Sequence, residues 1–450
     1  MTHSLRVTRR AAARQAGALF GAGFAGALLA ACGQAAGNTG AERKTVGPAS
    51  ITFMNRGDTA AFAVHERAAA AFMQTVPYIN VTLEPVVSGS WIERLTTQLA
   101  GGTASDTVMC AYGDFLQFCK RGDFRELDTF LSKDKDVKTA DWFPLALDSM
   151  KYKGKTFNMP YNGGTLALFY NKEIFDKNKT RYPDDTWTWD KYVEAGTQIT
   201  TDAKGTHGNE GGFDGNNVAI YGAANIQGDP DWIYWLWANG TDLYTNNNKE
   251  VNFKDPKVLD AIQWLADTNK KRLWPSVLVK DANPTGFRNG NVGMVAWGHW
   301  QVARVRTDPF KWDVAPMPKT KDGKRVGLGW YSGNGMVRTT KSPDASWEFL
   351  KWFGGAAGQR FLGLEGLTLP AVRKVAESDE IMKSVPPDNQ RAFLTEIDRV
   401  RIRWNWNVTE QRDWNDIINP ELTKVWAGEA KAKDVLPAIV PRLNEVLSRN

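Results

Sequence analysis

Alternating strand and helix patterns between Ser50 and Cys110 constrain the fold of this chain more than any other feature of its sequence. Apolar and polar residues alternate in the strand-like segments, whereas the segments between them carry apolar residues at helical spacing. Asp58 precedes the first helical segment, and Ser90 with Glu93 has the form of a capping box that opens the second. The predicted elements are a strand at Ile51–Phe53, a helix from about Asp58 that ends before Pro77, a strand at Ile79–Leu83, a helix from Ser90 to Gly101–Gly102 and a strand at Thr107–Cys110. Repeated units of this kind predict an α/β fold with a largely parallel sheet.

The first 31 residues have the composition of an export signal. Four arginines lie between Arg6 and Arg14, and an uncharged run of small and apolar residues follows from Ala16 to Ala31. This run is short for a membrane span and is typical of the apolar region of a signal peptide. The sequence therefore predicts export. The Arg9–Arg10 pair leaves open whether the general secretory or the twin-arginine route is used.

A short motif, Leu29-Ala30-Ala31-Cys32-Gly33, directly follows that run. It resembles the lipobox of bacterial lipoproteins, in which cleavage precedes a cysteine that is then lipidated. We therefore expect a signal peptide at 1–31, a lipid on Cys32 and a flexible tether at 32–48. Such lipid chains would anchor the protein beside a membrane, on the outer face of the cytoplasmic membrane or in the periplasm, without crossing it. An ordinary signal peptide with an incidental cysteine is the alternative.

Composition and charge exclude several classes of protein. An apolar fraction of 42% and a charged fraction of 24% are ordinary for a soluble globular chain, and 450 residues suffice for two or three domains. Disorder and a multi-span membrane protein are therefore excluded. The formal net charge is +6, but the leader contributes four arginines and no acidic residue, so the remainder carries +2. This balance gives no indication of a nucleic-acid partner.

Motifs of metal and nucleophile chemistry are missing from the sequence. The three histidines after the leader lie far apart, and neither H-E-x-x-H, paired-cysteine zinc spacing, G-x-S-x-G nor a phosphate-binding glycine loop occurs. We expect no metal, no cofactor and no catalytic residue. The polar loop at 202–217 lacks EF-hand spacing and is interpreted as a solvated loop, with calcium left open. Cys110 and Cys119 are compatible with a disulfide or with two buried thiols, and both alternatives stay open.

Tryptophan is the strongest positive signal for binding. The chain has 19 tryptophans, and several lie in short polar segments instead of apolar helical stripes. Core packing explains more than half of them, and helical positions assign Trp264, Trp347 and Trp352 to it. Trp297 and Trp300, on either side of a glycine, are less easily explained by packing. Flat aromatic faces suit the C–H faces of sugar rings or a cationic ligand, and neighbouring Asp, Asn and Arg side chains can bind hydroxyl groups.

Segments spread over most of the chain after the leader follow the sequence pattern of one family, in the right order. They are Gln98–Val108 (QLAGGTASDTV), Gly122–Asp128 (GDFRELD), Tyr152–Pro160 with Leu168–Phe175 (LFYNKEIF), Thr186–Trp187, Phe287–Trp300, Trp312–Pro318 (WDVAPMP) and Ser346–Leu350. Together they resemble the bacterial extracellular solute-binding proteins of ABC importers, in particular the carbohydrate group that includes maltose-binding protein. The long Gly/Asn-rich loop, and Ser105 in place of a proline before Asp106, depart from the family pattern.

This resemblance implies a two-lobe α/β fold like that of type II periplasmic binding proteins, with the ligand held in a cleft between the lobes. We expect lobe 1 at 49–161 plus 313–366, lobe 2 at 162–312 plus 367–450, and chain crossings near 161–166, 309–312 and 363–369. Ligand binding is then expected to close the lobes by a hinge motion. The implied function is that of a monomeric, lipid-anchored receptor that captures a mono- or oligosaccharide and delivers it to the transmembrane subunits of an ABC permease, without catalysis.

In such a cleft, ligand contacts are expected from loops at strand ends and from the segments near the crossings. Asp114 is the expected main acceptor for ligand hydroxyl groups, and its alternative role is an N-cap before Phe115. Trp300 and Trp330 are the expected stacking platforms, with core packing as their alternative. The predicted ligand-binding residues are Asn55, Arg56, Trp91, Tyr112, Asp114, Tyr161, Asn162, Trp232, Trp235, Trp297, Trp300, Trp330, Tyr331, Asn334 and, as a weaker candidate, Arg373.

Two other functions stay open at the level of the sequence. A receptor of the same fold for a polyamine or quaternary ammonium compound would use the tryptophans as a cationic cage. It would need several carboxylates in the cleft, for which Asp58, Asp114 and Asp231 are available. A secreted carbohydrate-active enzyme would need a pair of carboxylates about 5–10 Å apart, one of them with a raised pKa.

Overall fold

A computed structural model describes residues 46–87, 89–111, 113–224, 232–245, 249–268, 284–320, 322–402 and 411–449. The strands of these residues are β1 (Ala49–Gly57), β2 (Ile79–Val87), β3 (Thr107–Ala111), β4 (Lys151–Tyr152), β5 (Lys155–Thr156), β6 (Asn158–Thr165), β7 (Ala167–Asn171), β8 (Thr201–Asp202), β9 (Val218–Ile220), β10 (Tyr244–Thr245), β11 (Glu250–Val251), β12 (Met294–Trp297), β13 (Trp312–Pro316), β14 (Gly327–Met336) and β15 (Val400–Ile402). The predicted signal peptide, Cys32, most of the tether, Tyr112 and Asp231 lie outside the described residues.

Helices lie between and after these strands. In the same residues they are α1 (Thr59–Thr75), α2 (Trp91–Gly101), α3 (Leu116–Arg121), α4 (Asp128–Lys133), α5 (Pro144–Asp148), α6 (Lys172–Lys177), α7 (Trp189–Ile199), α8 (Trp232–Ala238), α9 (Pro256–Thr268), α10 (Val302–Val305), α11 (Pro343–Gly354), α12 (Ala356–Leu364), α13 (Arg373–Ala376), α14 (Asp379–Met382), α15 (Gln411–Ala427), α16 (Ala432–Val435) and α17 (Val440–Ser448). None of the helices in the described part of the chain is long and apolar enough to cross a membrane.

The first sheet confirms the predicted β-α-β-α-β order. β1 pairs in parallel with β2 along its whole length and with β3 at Phe53 and Met54. β14 runs antiparallel to β3 and to β6, and β15 pairs in parallel with the first residues of β14. The strand order is β15-β14-β3-β1-β2, with β6 paired to β14. The sheet is therefore parallel in its N-terminal part, and a strand from later in the chain makes it mixed.

The second sheet is antiparallel and follows the first directly. Leu166 alone separates β6 from β7, so the chain passes from one sheet to the other within the predicted crossing at 161–166. β7 then pairs with β12 and with β13. β13 lies on both sides of the predicted lobe boundary between 312 and 313, and β15, from the range predicted for lobe 2, pairs in the first sheet. The chain from Val46 onward forms one compact unit, and the proposed division into lobes stays a prediction.

Local sequence signals determine where the first helices begin. Asp58 is the N-cap of α1, because its Oδ1 accepts a hydrogen bond of 3.1 Å from the backbone N–H of Ala61. The predicted capping box of α2 is wrong: Ser90 Oγ donates to the carbonyl of Val87 and makes no cap bond. The helix still begins at the next residue and ends before Gly102, whose left-handed conformation suits glycine.

Alternation along β1 distributes apolar residues to both faces of the first sheet. Phe53 lies on one face and packs against α1 and α11, with its ring 4.9 Å from that of Phe349. Met54 lies on the other face, in a cluster with α2 and α3. A further large cluster surrounds α7, α8, α9, α15 and α17 next to the second sheet. Both sheets are therefore covered by helices, which leaves strand ends as the places where polar side chains can meet a ligand.

The described cysteines are two buried thiols. Cys110 on β3 and Cys119 on α3 are free and lie in the core between α2, α3 and the first sheet. Burial raises the pKa of both thiols, so both are protonated at neutral pH. The sequence left open a disulfide or two buried thiols, and the structure contains the two thiols.

Asp202 organises the polar loop that follows β8. Its carboxylate accepts hydrogen bonds of 2.9–3.0 Å from the backbone N–H groups of Lys204, Thr206 and Asp214. These bonds lower the pKa of Asp202, although partial desolvation raises it. Among the residues that the structure describes, no three His, Cys, Asp or Glu side chains are grouped as metal ligands.

Candidate functional site

The carboxyl ends of β1, β3 and β6 lie at one edge of the first sheet. β6 runs in the same direction as β3, because both pair antiparallel with β14. Ser332 of β14 lies opposite Ala111 at the end of β3 and opposite Asn162 of β6, and Arg56 is the penultimate residue of β1. Open α/β sheets bind ligands outside the carboxyl ends of their strands. This edge therefore gathers predicted site residues from four separate parts of the chain.

Arg56 connects several of these residues. Its guanidinium lies 5.9 Å from the centre of the Trp91 ring, and its positive charge acts to lower the pKa of the Tyr161 hydroxyl. Asn162 Oδ1 accepts a 2.7 Å hydrogen bond from the backbone N–H of Ser332. Burial raises the pKa of Tyr161, so its hydroxyl is neutral. Trp91 is 2% exposed, and its ring packs against Arg56 and the core instead of facing solvent.

The two predicted stacking platforms contact each other. The ring centres of Trp300 and Trp330 are 5.3 Å apart with an angle of 63° between the planes, an edge-to-face contact that aromatic pairs favour. Trp330 lies between the residues of β14 that pair with β15 and those that pair with β3. Trp300 belongs to a 3-10 segment, His299–Gln301, directly after β12. Both tryptophans are half-buried.

Gly298 allows the ring of Trp300 to lie against the backbone. A Cβ at position 298 would be 1.8 Å from Cζ3 of Trp300 and 2.3 Å from two other atoms of the ring. The φ of Gly298 is −86°, which any residue can adopt. The requirement for glycine therefore comes from the tryptophan ring and not from the backbone.

Arg304 holds the Trp300 segment and reaches the end of β1. Its Nη1 donates to the carbonyl of Trp300 at 2.5 Å, and its Nε donates to Oδ2 of Asp58 at 2.5 Å. Partial burial raises the pKa of Asp58, but the hydrogen bond and charge of Arg304 outweigh it and hold this pKa below its usual value. Sequence reasoning missed Arg304, for which a spacing of one helical turn from Trp300 is the available signal.

Asp114 follows β3 at the same edge and is half-buried. Its alternative role as an N-cap is wrong, because α3 begins at Leu116 and Phe115 occupies the N-cap position. Asp114 already has an interaction partner within the protein. Its role as acceptor for a ligand stays a prediction, and the neighbouring Tyr112 lies outside the described residues.

Three predicted tryptophans pack with core side chains. Trp232 and Trp235 on α8 are 3% and 1% exposed, and the ring of Trp235 lies 4.3 Å from that of Trp189 in the cluster next to the second sheet. This packing supports a core role for both, in place of the predicted ligand contact, because neither presents a ring face to solvent. Trp297 is half-buried, with its ring centre 5.8 Å from that of Phe169.

Two of the three predicted asparagines lie inside the protein. Asn55 and Asn334 are both 0% exposed. Asn55 Nδ2 lies 3.2 Å from Nδ1 of His65, and burial together with the charge of Arg56 lowers the pKa of His65 to about 3, so this histidine is neutral. Asn334 lies opposite Met109 and Met159, inward from the edge. Neither side chain is exposed at the strand ends in this conformation, and their predicted ligand contact stays a prediction.

Tyr331 and Arg373 are also engaged within the protein. Tyr331 is 1% exposed, and its ring covers Gly163 so closely that a Cβ there would be 2.6 Å from Cε1. Arg373 forms ion pairs with Asp398 at 2.5 Å and with Glu377 at 3.1 Å. Tyr331 and Arg373 therefore contact other parts of the protein. The predicted residues that the structure brings together at or next to this edge of the first sheet are Arg56, Trp91, Tyr161, Asn162, Trp300 and Trp330.

Known proteins resemble this chain in sequence and in fold. The family model of the bacterial extracellular solute-binding proteins matches residues 57–360. The binding protein BAB2_0491 of Brucella abortus strain 2308 is 21% identical over 392 residues, which cover 85% of this chain and 90% of that protein.

Two solved structures share the fold over nearly the whole described chain. The ABC substrate-binding protein Lmo0181 of Listeria monocytogenes, solved with cycloalternan, has a TM-score of 0.78 at 22% identity and covers 89% of this chain and 99% of its own. The GacH receptor of Streptomyces glaucescens, solved unliganded and with acarbose, has a TM-score of 0.75 at 22% identity and covers 89% of this chain and 98% of its own. These structures share the α/β fold of this chain, and the chain belongs to the family of bacterial extracellular solute-binding proteins.

Proposed function

We propose that this protein is the substrate-binding component of an ABC importer and that it binds a neutral mono- or oligosaccharide between two lobes. The contact between Trp300 and Trp330 carries the proposal, because it places two half-buried indole rings side by side near the ends of strands of the first sheet. Indole faces cover the apolar C–H faces of sugar rings, and removing this apolar area from water favours binding. The saccharide is then delivered to the transmembrane subunits of a permease.

Polar groups at the same edge supply the hydrogen bonds that a sugar needs. Arg56 donates, Asp114 accepts, and Asn162 and Tyr161 contribute an amide and a neutral hydroxyl. A hydrogen bond to a charged partner contributes about 1.5–3 kcal/mol, whereas a neutral one contributes about half as much. Stacking and a satisfied set of hydrogen bonds are sufficient for capture, so no reaction is required.

The charges at this edge favour a neutral ligand over a polyamine or a quaternary ammonium compound. A cationic cage requires unpaired carboxylates beside the aromatic rings. Asp58 is already paired with Arg304. Arg56 adds a positive charge among the predicted site residues and would repel a cation. The two solved relatives support the same choice, because cycloalternan and acarbose are both saccharides.

Thermal unfolding of the purified protein with a panel of sugars, polyamines and betaines tests this proposal. A ligand that binds only the folded state stabilises it by about 2.7 kcal/mol at 100 times its Kd. We expect a saccharide to raise the Tm and expect polyamines and betaines to leave it unchanged. A shift with a cation alone would refute the carbohydrate assignment, and recovery of a chemically altered sugar after long incubation would indicate an enzyme.

We further propose that a lipid on Cys32 anchors the exported protein at the membrane. The Leu-Ala-Ala-Cys sequence directly after the apolar run supports this assignment. The wild type is expected in the membrane fraction with acyl chains detectable by mass spectrometry, and Cys32→Ala is expected in the soluble fraction. Equal solubility of both proteins, with no lipid on either, would show that Cys32 is incidental.

A further inference from the structure

An ion pair connects two parts of the chain that are distant in sequence and that belong to different predicted lobes. Asp58 lies between β1 and α1 in lobe 1, and Arg304 lies on α10 in lobe 2, 246 residues later. Nε of Arg304 and Oδ2 of Asp58 are 2.5 Å apart. The side chain of Arg304 is 17% exposed and that of Asp58 is 50% exposed, so the contact lies at the protein surface with the arginine largely covered.

The helix cap holds the Asp58 carboxylate in place independently of Arg304. Oδ1 accepts from the N–H of Ala61 as the N-cap of α1, which leaves Oδ2 for Arg304. A carboxylate already fixed by a cap loses little side-chain freedom when it forms an ion pair, and this loss is a principal cost of surface pairs. The acceptor is therefore preorganised on one side of the contact.

The other side of the contact carries a proposed stacking platform. Nη1 of Arg304 donates to the carbonyl of Trp300, and the N–H of the preceding Ala303 donates to the carbonyl of Gly366 at 2.9 Å. Gly366 lies in the third predicted crossing, at 363–369. The backbone of α10 is thus attached next to a crossing, while the Arg304 side chain joins Trp300 to Asp58.

We propose that the Asp58–Arg304 pair forms when the lobes close and positions Trp300 against Trp330, so that it stabilises the closed, ligand-binding form. This proposal rests on the proposed function. Arg304 is a positioning residue, because it acts through Trp300 and through closure. A partly exposed ion pair changes an equilibrium constant by about two- to fivefold, and the same factor then applies to the fraction of closed protein and to saccharide affinity.

Neutral substitutions that preserve local structure test the pair. Asp58→Asn removes the charge and keeps an N-cap side chain, since asparagine caps helices as well as aspartate does. Arg304→Gln removes the partner charge, and the double variant completes a thermodynamic cycle. Asp413→Asn is the matched control. It removes the ion pair between Asp413 and Arg449, which are 2.8 Å apart and both belong to predicted lobe 2.

Two readouts are needed on each full-length exported protein. Fluorescence energy transfer between dyes at Lys135 and Lys204, exposed residues of the two predicted lobes, reports the closed fraction without ligand. Calorimetry with acarbose and with cycloalternan as probes reports the affinity. Asp58→Asn and Arg304→Gln are each expected to lower the closed fraction and the affinity about two- to fivefold. The double variant is expected to match Arg304→Gln, which loses the ion pair together with the hydrogen bond to Trp300, and Asp413→Asn is expected to match the wild type.

Additive effects of the two substitutions on the closed fraction would overturn the proposal, as would an unchanged closed fraction in either single variant. Circular dichroism shows whether Arg304→Gln is folded. If it is unfolded, the closed fraction and affinity of Asp58→Asn alone test the proposal. Failure of the proposed function can be distinguished from failure of the ion-pair proposal, because the closed fraction is measured without a saccharide. Lack of binding by every saccharide in the panel rejects the receptor assignment, while the energy transfer of the ligand-free variants still accepts or rejects the ion pair.

Discussion

Replacing Gly298 with alanine is expected to weaken saccharide binding without removing any aromatic side chain. The added Cβ would lie 1.8 Å from Cζ3 of Trp300, whereas carbon atoms in contact lie about 3.5–4.0 Å apart. The ring must therefore move by roughly 2 Å or rotate to another rotamer. Alanine is compatible with the backbone at this position, since φ is −86° and ψ is 170°. The substitution thus acts on the position of Trp300 alone.

The magnitude follows from the two contacts that the ring makes. Loss of the edge-to-face contact with Trp330 costs about 0.5–1.5 kcal/mol of folding stability. Loss of one stacking surface for a sugar ring costs about 1–3 kcal/mol of binding free energy, which corresponds to a roughly 5- to 150-fold higher Kd. Binding is therefore expected to suffer more than folding.

Calorimetry with the saccharide identified by thermal unfolding measures the Kd, and near-ultraviolet circular dichroism reports whether the tryptophan has moved. Gly211→Ala is the control, because a Cβ at position 211 meets nothing within 4 Å and the residue needs no left-handed backbone. A Gly298→Ala protein with a changed tryptophan signal and an unchanged Kd would refute the role of Trp300 as a platform.

Three further outcomes are expected. Since the pKa of His65 is about 3 in the folded protein and 6.5 ordinarily, only the unfolded state has this histidine protonated between pH 3 and 6.5. His65 should therefore lower the free energy of unfolding by about 1.4 kcal/mol for each pH unit as the pH falls from 6.5 to 3, and denaturant titrations of His65→Gln should lack this contribution. In Cys32→Ala, Cys110 and Cys119 should react with an alkylating reagent only after denaturation, and failure to react in denaturant would indicate a disulfide. Trp235→Ala should destabilise the fold by about 3–5 kcal/mol, and unchanged stability with weakened binding would instead return Trp235 to the site.

The fold could be predicted from the sequence where the hydrophobic periodicity agrees with the residues that typically begin or end helices and strands. Alternation in β1 and the helical spacing of apolar residues after Asp58 gave the first strand and helix correctly, and the core role expected for Trp347, which is 5% exposed, is confirmed. β14 could not be predicted in this way. It carries glycines at 327, 329, 333 and 335, and its place between β3 and β6 depends on pairing with residues more than 150 positions away.

The candidate site was harder to predict because burial depends on tertiary packing. Asn334 follows Trp330 by four residues in the same strand, yet it lies level with Met109 inside the sheet while Trp330 lies past the end of β3. Trp235 has the same residue type as Trp300 but belongs to a helix that is surrounded by other apolar elements. The role of Arg304 depends on its ion pair with Asp58, a partner that is distant in the sequence. Sequence patterns identify residue types suited to a ligand, and the fold decides which of them face it.

A crystal structure of the exported protein with a bound oligosaccharide tests the central claim most directly. We expect the C–H face of a sugar ring within about 4.0–4.5 Å of the indole rings of Trp300 or Trp330, at the carboxyl ends of β1, β3 and β6, with Arg56 or Asn162 bonded to its hydroxyl groups. A sugar bound elsewhere, for example between α7 and α9 beside Trp264, with Trp300 and Trp330 free of contact, would contradict the account.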